Sequence, residues 1–246
     1  MRKRDLALAV AGLLVAWQVA SMLIGKPILP PPWEVLIAFV SELPKELGRH
    51  TAVSAARVVA SILVAVVVAV PAGLALGLSP TADRLAAPLI YLLYPIPKIV
   101  FLPVILLLLG IGNASKVFII ALILFFQMLV VVRDEAANLR PELIASVRSL
   151  GAGRRAIFRF VYLPACLPAV LTSLRVSIGT AIAVLFFAES FATSSGLGYY
   201  IIVETWGRLA YPEMYAGVVA MSLLGLVLYF TVDRLQGRLC PWLVVI

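Results

Sequence analysis

Long apolar stretches alternate with short charged or Gly/Pro-rich breaks along the chain. A helix needs about 20 mainly apolar residues to cross a bilayer core of roughly 30 Å, so each stretch is a candidate membrane span. The pattern predicts six spans, at residues 6–24, 54–78, 85–109, 116–132, 167–188 and 214–232. We therefore expect an all-α membrane protein that forms a single transmembrane domain over residues 1–246.

The first span has an alternative interpretation as a cleaved signal peptide. Arg2, Lys3 and Arg4 precede it, as basic residues do in such peptides. A small-residue cleavage site is poorly formed around residues 21–26, and the span is long enough to cross a bilayer. These observations favour an uncleaved helix.

A short amphipathic helix is predicted after three consecutive prolines at 30–32. Trp33, Leu36, Ile37 and Val40 follow the i, i+3, i+4, i+7 spacing of one helix face. Such a helix lies at the membrane interface or packs on the outer ends of the bundle, and the sequence leaves both possibilities open.

Composition excludes a water-soluble domain, since 63% of the 246 residues are hydrophobic and only 13% are charged. The net charge of +8 does not indicate a nucleic-acid partner, because the basic residues lie in short breaks between apolar spans. Cys166 and Cys240 lack the spacing of a metal or redox motif, and we expect neither a disulfide nor a metal site.

The basic residues predict the orientation, because Lys and Arg in short loops are retained on the cytoplasmic side. The densest cluster follows the fourth span, at Arg133, Arg140, Arg148, Arg154, Arg155 and Arg159. Alternating the six spans from this loop also places the group Arg2, Lys3 and Arg4 inside, followed by Arg84 and then by Arg234 and Arg238. The chain is thus predicted to be a multi-pass protein of the cell membrane with both termini in the cytoplasm.

The segment 133–166 is much longer than a connection between neighbouring helices needs to be. Residues 141–150 have a helical pattern that ends at Gly151, a typical C-terminal stop. A second helical stretch, 154–162, leads into Leu163–Pro164, where the proline interrupts the backbone ladder. We predict an elbow of two short helices around Gly151, which would let backbones approach closely.

This loop resembles that of ABC importer permeases, specifically the nitrate, sulfonate, taurine and bicarbonate group. The family motif is EAA, three residues, Gly, nine residues, Ile, one residue, Leu-Pro. Aligned on Gly151, it places Val161, Leu163 and Pro164 at the matching positions, whereas Ala145-Ser146-Val147 replaces the EAA triplet. Further matching segments are 29–35, 94–103, 110–112, 149–152 and 189–198.

The resemblance implies a type I ABC importer permease (MetI-like) architecture, in which two copies of the chain pair as a homodimer. It also implies separate ABC ATPase subunits, which bind the ATP and Mg²⁺, and an extracytoplasmic solute-binding protein. The ATPase-coupling residues it implies are Ala145, Ser146, Val147, Arg148, Ser149, Leu150, Gly151, Ala152, Leu163 and Pro164. The solute is expected to be a small anion or a sulfonate-like compound.

Two ionisable residues are candidates for the translocation path. Lys98 follows Pro95 and Pro97 inside the third span. It either lines the path or is placed near an interface by the proline-broken helix, where its long side chain snorkels to water. Glu189 ends the fifth span, and either helps to form an outer gate, positions the following loop, or is solvated at the interface. Arg175 is expected to reach the cytoplasmic headgroups, and His50 to be an exposed extracytoplasmic residue.

No catalytic motif is present in the sequence, and a single histidine cannot supply a His-based relay together with metal ligands. An ion-coupled secondary carrier using Lys98 and Glu189 is the main alternative, although the sequence lacks the internal repeats typical of such carriers. A membrane-embedded enzyme is a weaker alternative, because no set of catalytic residues converges on one face. We therefore expect a transport subunit with no cofactor of its own.

Overall fold

The structure is a computed structural model that describes residues 3–243, and no β-strand occurs within this range. Arg2 and the side chain of Lys3, both used in the orientation argument, lie outside what it describes. The α-helices are α1 (Lys3–Ile24), α2 (Pro32–Glu42), α3 (Gly48–Leu78), α4 (Pro80–Leu93), α5 (Leu102–Leu109), α6 (Asn113–Ala137), α7 (Pro141–Ser149), α8 (Arg154–Ile157), α9 (Leu163–Ser190), α10 (Leu197–Tyr199) and α11 (Tyr211–Leu239). The all-α fold class is confirmed.

Five helical segments of the described chain are long and apolar enough to cross a membrane. A sixth candidate is the pair Pro80–Leu93 and Lys98–Leu109, whose two parts meet at an angle of 78°. The span predicted at 85–109 thus corresponds to a bent pair of helices, with the break at the prolines. Pro95 and Pro97 lie at the bend, where each removes a backbone N–H that a helix would use.

The chain divides into two compact units. The first contains the residues up to Ala55 together with Glu189–Leu224, and the second contains Ala56–Ala188 and the residues from Gly225 onward.

In the second unit, α3 and α6 run parallel. Arg57 Nε donates a 2.8 Å hydrogen bond to Asn113 Oδ1 at the start of α6. Twenty residues further along each helix, a Cβ on Gly77 would lie 2.5 Å from the backbone oxygen of Arg133, so these backbones are in close contact. Because α3 and α6 point in the same direction, the chain between them must run back along their shared length of about 30 Å. The bent pair of α4 and α5 makes this return, so it connects opposite ends of the unit.

Helices α9 and α11 of the second unit are antiparallel. Gln236 Nε2 lies 3.2 Å from Thr172 Oγ1, and a Cβ on Gly225 would lie 3.3 Å from Ile182 Cγ1. Arg133 Nη2 donates a 2.8 Å bond to Asp83, next to Arg84 at the start of α4. Residues near positions 84, 133 and 236 therefore lie at the end of the unit where α6 leads into α7.

In the first unit, the predicted apolar stripe of α2 is exposed. Leu36, Ile37 and Val40 expose about three-fifths of their surface, whereas Val35 and Ala38, on another face, are buried. The connection before α2 is fixed by Trp17 Nε1, which donates a 3.1 Å bond to the carbonyl oxygen of Pro30. Only one face of α2 is thus packed, and the face predicted from periodicity is left without a protein partner among residues 3–243.

Candidate functional site

Helix α7 forms the first arm of the predicted elbow. Arg140 precedes the helix and Pro141 occupies its first position, where the missing N–H costs nothing. Ser146 Oγ donates to the carbonyl oxygen of Glu142 at 2.7 Å, and Ser149 Oγ donates to that of Ser146 at 2.7 Å. These serine hydroxyls bond within α7, so they stabilise the helix locally.

The apolar residues of α7 are not packed. No residue of the helix is buried, and Leu150 at its C-terminus exposes 85% of its surface. Leu143 is 49% exposed, and Ile144 and Val147 are half-buried. An open depression of about 550 Å³ is lined by Ile144, Ala145, Arg148 and Ser149 of α7 together with Tyr162.

Gly151 has a backbone conformation that favours glycine. Its φ is +82°, in the left-handed region that favours glycine, and its N–H bonds to the carbonyl oxygen of Arg148 at 3.0 Å. A Cβ on Gly151 would meet nothing within 4 Å. Within the described residues no backbone approaches this position closely, and the left-handed conformation of Gly151 reverses the chain between Leu150 and Ala152.

Leu163–Pro164 does not end the second arm. Helical structure is continuous from Arg154 to Ser190, and residues Phe158–Tyr162 form a π-helical turn within it. In such a turn the backbone hydrogen bonds span five residues instead of four. This change accommodates Pro164, which has no N–H to donate. The second arm is thus continuous with the span that follows, so a displacement of α8 moves the start of α9.

Lys98 caps the broken helix. Its ammonium group donates to the carbonyl oxygens of Leu93 at 2.8 Å, Tyr94 at 2.9 Å and Ile96 at 3.2 Å. Because α4 ends at Leu93, these carbonyls lie beyond its regular hydrogen bonds, and that of Leu93 also accepts from the N–H of Ile96 at 3.4 Å. Nζ also lies 4.4 Å from the ring centroid of Phe126. These contacts hold the ammonium group of Lys98 at the break.

Glu189 is fully buried, and its carboxylate organises the start of α10 within the first unit. Oε2 accepts from Ser54 Oγ at 2.7 Å and from the backbone N–H of Gly198 at 3.2 Å. Ser54 Oγ in turn accepts from the N–H of Leu197 at 2.8 Å. Solvation at an interface does not describe this carboxylate, because its contacts are protein groups that position the loop.

Gly196 is the tightest position of this arrangement. Its φ is +112° and its ψ is 164°, a combination that is essentially restricted to glycine. A Cβ at this position would lie 2.3 Å from Cδ of Glu189. The carboxylate can therefore approach the loop only because residue 196 has no side chain.

The expectation that His50 is exposed is wrong, because it is fully buried. Nδ1 accepts a 2.9 Å hydrogen bond from the N–H of Gly196. Nε2 lies 3.2 Å from Glu204 Oε2 and 3.5 Å from Glu46 Oε2. We refer to Glu189, His50 and Ser54, with the three N–H groups at 196–198, as the capping cluster.

Glu46, His50 and Glu204 have ligand atoms close enough together to hold a metal ion. The hydrogen bond from Gly196 argues against that role. A neutral imidazole has one N–H, and because Nδ1 accepts, the proton lies on Nε2. Nε2, which faces the carboxylates of Glu46 and Glu204, is therefore a hydrogen-bond donor and is not free to bind a metal ion.

The spacing of polar residues along α3 was a sequence signal for the capping cluster, and the spacing of apolar residues does not show it. His50, Ser54, Arg57 and Ser61 recur at i, i+4, i+7 and i+11 along the apolar helix α3, and all four are buried. A polar stripe of this spacing on one face of a membrane span indicates a protein-facing side, because polar groups avoid lipid.

Arg175 and the cysteines have structural roles in the second unit. Arg175 Nη1 pairs with Asp233 Oδ1, and its guanidinium lies 5.9 Å from the ring centroid of Tyr229. These contacts join α9 to α11. Cys166 and Cys240 are both buried free thiols.

These features agree with one known family. Residues 65–245 match the family described as binding-protein-dependent transport system inner membrane component. The chain belongs to this family. The resemblance inferred from the loop and the segment order is thereby confirmed.

Curated relatives are similar in sequence to this chain over nearly their whole length. The taurine transport system permease protein TauC of Escherichia coli strain K12 is 33% identical over 94% of this chain and 86% of its own. A putative ABC transporter permease of Methanocaldococcus jannaschii is 33% identical over 93% of this chain and 88% of its own. The putative aliphatic sulfonates transport permease protein SsuC of Escherichia coli strain K12 is 30% identical over 94% of this chain and 89% of its own.

The fold matches solved structures of the MetNI methionine ABC transporter in inward-facing conformations. One has a TM-score of 0.65 and 20% identity, covering 78% of this chain and 95% of that chain. The MetI-like permease architecture is confirmed. The protein is an ABC importer permease, a multi-pass protein of the inner membrane, and the family assignment does not favour an ion-coupled carrier.

Proposed function

We propose that the permease carries a small sulfonate- or oxyanion-type solute across the membrane and that it receives force from a separate ATPase through the elbow formed by α7, Gly151 and α8. The observation that carries this proposal is the unpacked apolar surface of α7. Leu150 at the end of α7 exposes 85% of its surface, and Leu143 is exposed as well. Such exposed apolar side chains add no stability to the isolated permease, and contiguous apolar surface of this kind is typical of a partner interface.

The elbow is suited to transmit a push. Its second arm is continuous with α9 up to Ser190, so a docked partner that moves the elbow moves a whole span. Arg148, Arg154 and Arg155 surround the docking face with positive charge, which supports its assignment to the cytoplasmic side. In this orientation, the C-terminus is cytoplasmic, and with six spans the N-terminus is as well.

The partners follow from the family. Two copies of the permease pair around the path as a homodimer, with two ATPases on the cytoplasmic side and a solute-binding protein outside. The names of the taurine and sulfonate relatives support a sulfonate-like solute. ATP and Mg²⁺ are bound by the ATPase and not by this chain.

The docking face is tested by co-purification of the cognate ATPase with permease variants. Leu150→Glu places a charge in the proposed interface, and we expect loss of most of the bound ATPase. Leu150→Met keeps an apolar side chain at the same exposed position and should retain it. Both variants should insert normally, because Leu150 makes no buried contact. Equal ATPase recovery with Leu150→Glu and wild type would overturn the proposal.

A further inference from the structure

A groove of about 950 Å³ lies between α4 and α6 in the second unit. Four of its α4 residues follow the i, i+3, i+4, i+7 spacing of one helix face, namely Arg84, Ala87, Pro88 and Tyr91. The small side chains of Ala87 and Pro88 leave room between the two long ones. Val130 and Arg133 line the groove from α6. The groove therefore runs along α4, from Arg84 toward the break.

The positive charge of the groove lies at one end only. Arg84 and Arg133 are at the end of the unit where α6 leads into α7, and the other lining residues are apolar or tyrosine. Asp83 neutralises Arg133, because its carboxylate accepts from Nη2 at 2.8 Å and also from Nε. Arg84 is exposed and makes no hydrogen bond or ion pair within residues 3–243. The net charge at this end is thus that of Arg84.

The length of the groove matches one leaflet of a bilayer. Arg84 and Tyr94 are ten residues apart along α4 and its C-terminal cap, which corresponds to about 15 Å. The hydrocarbon core of a bilayer is about 30 Å thick, so each leaflet contributes about 15 Å. An acyl chain whose headgroup lies at Arg84 would therefore end near Tyr94, where the groove ends.

The chemistry of the lining favours a lipid chain over water. Water fills a cavity stably only where it finds two to four polar partners, and the apolar part of the groove offers few. An unfilled groove would forfeit van der Waals contacts along its whole length. Helix α4 has particular need of such contacts, because Ile90 is its only buried residue within the described chain.

We propose that this groove binds an anionic phospholipid of the cytoplasmic leaflet, with the phosphate on Arg84 and one acyl chain between α4 and α6. A basic residue at the membrane surface attracts anionic headgroups, and a guanidinium can donate two parallel hydrogen bonds to a phosphate. The proposal shares with the proposed function only the orientation of the chain in the membrane. It requires neither the ATPase nor a particular solute.

The test uses the full-length permease in phosphatidylcholine nanodiscs that contain a small fraction of a photoreactive lipid. Two probes carry the same photoreactive acyl chain, one on a phosphatidylglycerol headgroup and the other on a phosphatidylcholine headgroup. Mass spectrometry then locates the labelled residues. The phosphatidylglycerol probe should label residues 87–95 and 130 about fivefold more than the other probe, as expected for one basic residue near an anionic headgroup. Equal labelling by the two probes would overturn the proposal.

The charge of Arg84 has matched variants. Arg84→Gln should fold normally, since the side chain is exposed and unpaired, and should bring the ratio of the two labels close to one. Arg84→Lys keeps the charge and should retain the preference. Arg234→Gln removes a charge at the same end of the unit but outside the groove lining, and should leave the ratio unchanged. An unchanged ratio in Arg84→Gln would contradict the assignment of the headgroup.

Three further measurements exclude other occupants. Ala87→Trp fills the groove but keeps Arg84, and it should abolish labelling at Val130, whereas attraction to the surface alone would leave that label intact. Millimolar inorganic phosphate should not displace the phosphatidylglycerol probe, and displacement would show a site for a free anion instead of a lipid. Tyr91→Cys should not form a disulfide between two copies of the permease in the nanodisc. Such a disulfide would show that a second copy covers the groove.

Discussion

Removal of the Glu189 carboxylate should destabilise the permease strongly. The change Glu189→Ala takes away the acceptor of two buried donors, the Ser54 hydroxyl at 2.7 Å and the Gly198 N–H at 3.2 Å. Each buried donor left without an acceptor costs about 1–3 kcal/mol, so the free energy of unfolding should fall by about 2–6 kcal/mol. For a chain of this size each kcal/mol lowers Tm by about 2–4 °C, which predicts a decrease of about 4–24 °C.

The assay can use the two native thiols. Cys166 and Cys240 are 1% and 0% exposed, so a thiol-reactive fluorogenic dye reports their exposure as the purified permease is heated in detergent. Wild type and variants must be heated at the same rate, since membrane proteins often unfold irreversibly. The apparent Tm values are then directly comparable.

Two further variants make the result specific. Glu189→Gln retains the shape and one acceptor oxygen, and its Tm should lie between those of wild type and Glu189→Ala. Glu34→Ala removes a carboxylate from the first turn of α2 and should cost no more than about 1 kcal/mol. A Tm of Glu189→Ala as close to wild type as that of Glu34→Ala would refute the capping role.

Two other predictions concern single groups. Burial raises the pKa of Tyr200, and its hydroxyl has no hydrogen-bond partner among residues 3–243. Tyr200→Phe should therefore leave the apparent Tm nearly unchanged or raise it, and a large decrease would reveal a partner for the hydroxyl. Gly151→Ala forces alanine into a left-handed conformation with no clash, which costs about 1–2 kcal/mol. Its apparent Tm should fall by about 2–8 °C, and no change would show that this backbone conformation is not required.

The spans were predictable because the bilayer imposes a strong constraint. Backbone groups in hydrocarbon must bond within their own helix, so apolar length alone locates a span. The start of α7 at Pro141 and its end near Gly151 were predictable from local rules for helix termini. Pro95 and Pro97 indicated a break in the third span, but its angle of 78° was not predictable, because apolar character continues through it.

The capping cluster was not predicted because its members come from distant parts of the sequence. His50 and Ser54 on α3 meet Gly196 and Leu197 more than 140 residues later, and isolated polar residues near a span end are usually solvated. The continuation of the helix through Pro164 was also missed, since a π-turn that accommodates a proline leaves no composition signal. Both features depend on tertiary contacts or backbone register, which hydropathy does not report.

Docking of the elbow on the ATPase is tested most directly by cross-linking from Leu150→Cys in the assembled transporter. The native thiols are buried, so a short bifunctional reagent should react first at this position. Leu36→Cys, on the exposed face of α2 in the other unit, is the control. Our account predicts a cross-link to the ATPase from position 150 and none from position 36. An assembled, ATP-hydrolysing transporter that gives no cross-link from position 150 would contradict it.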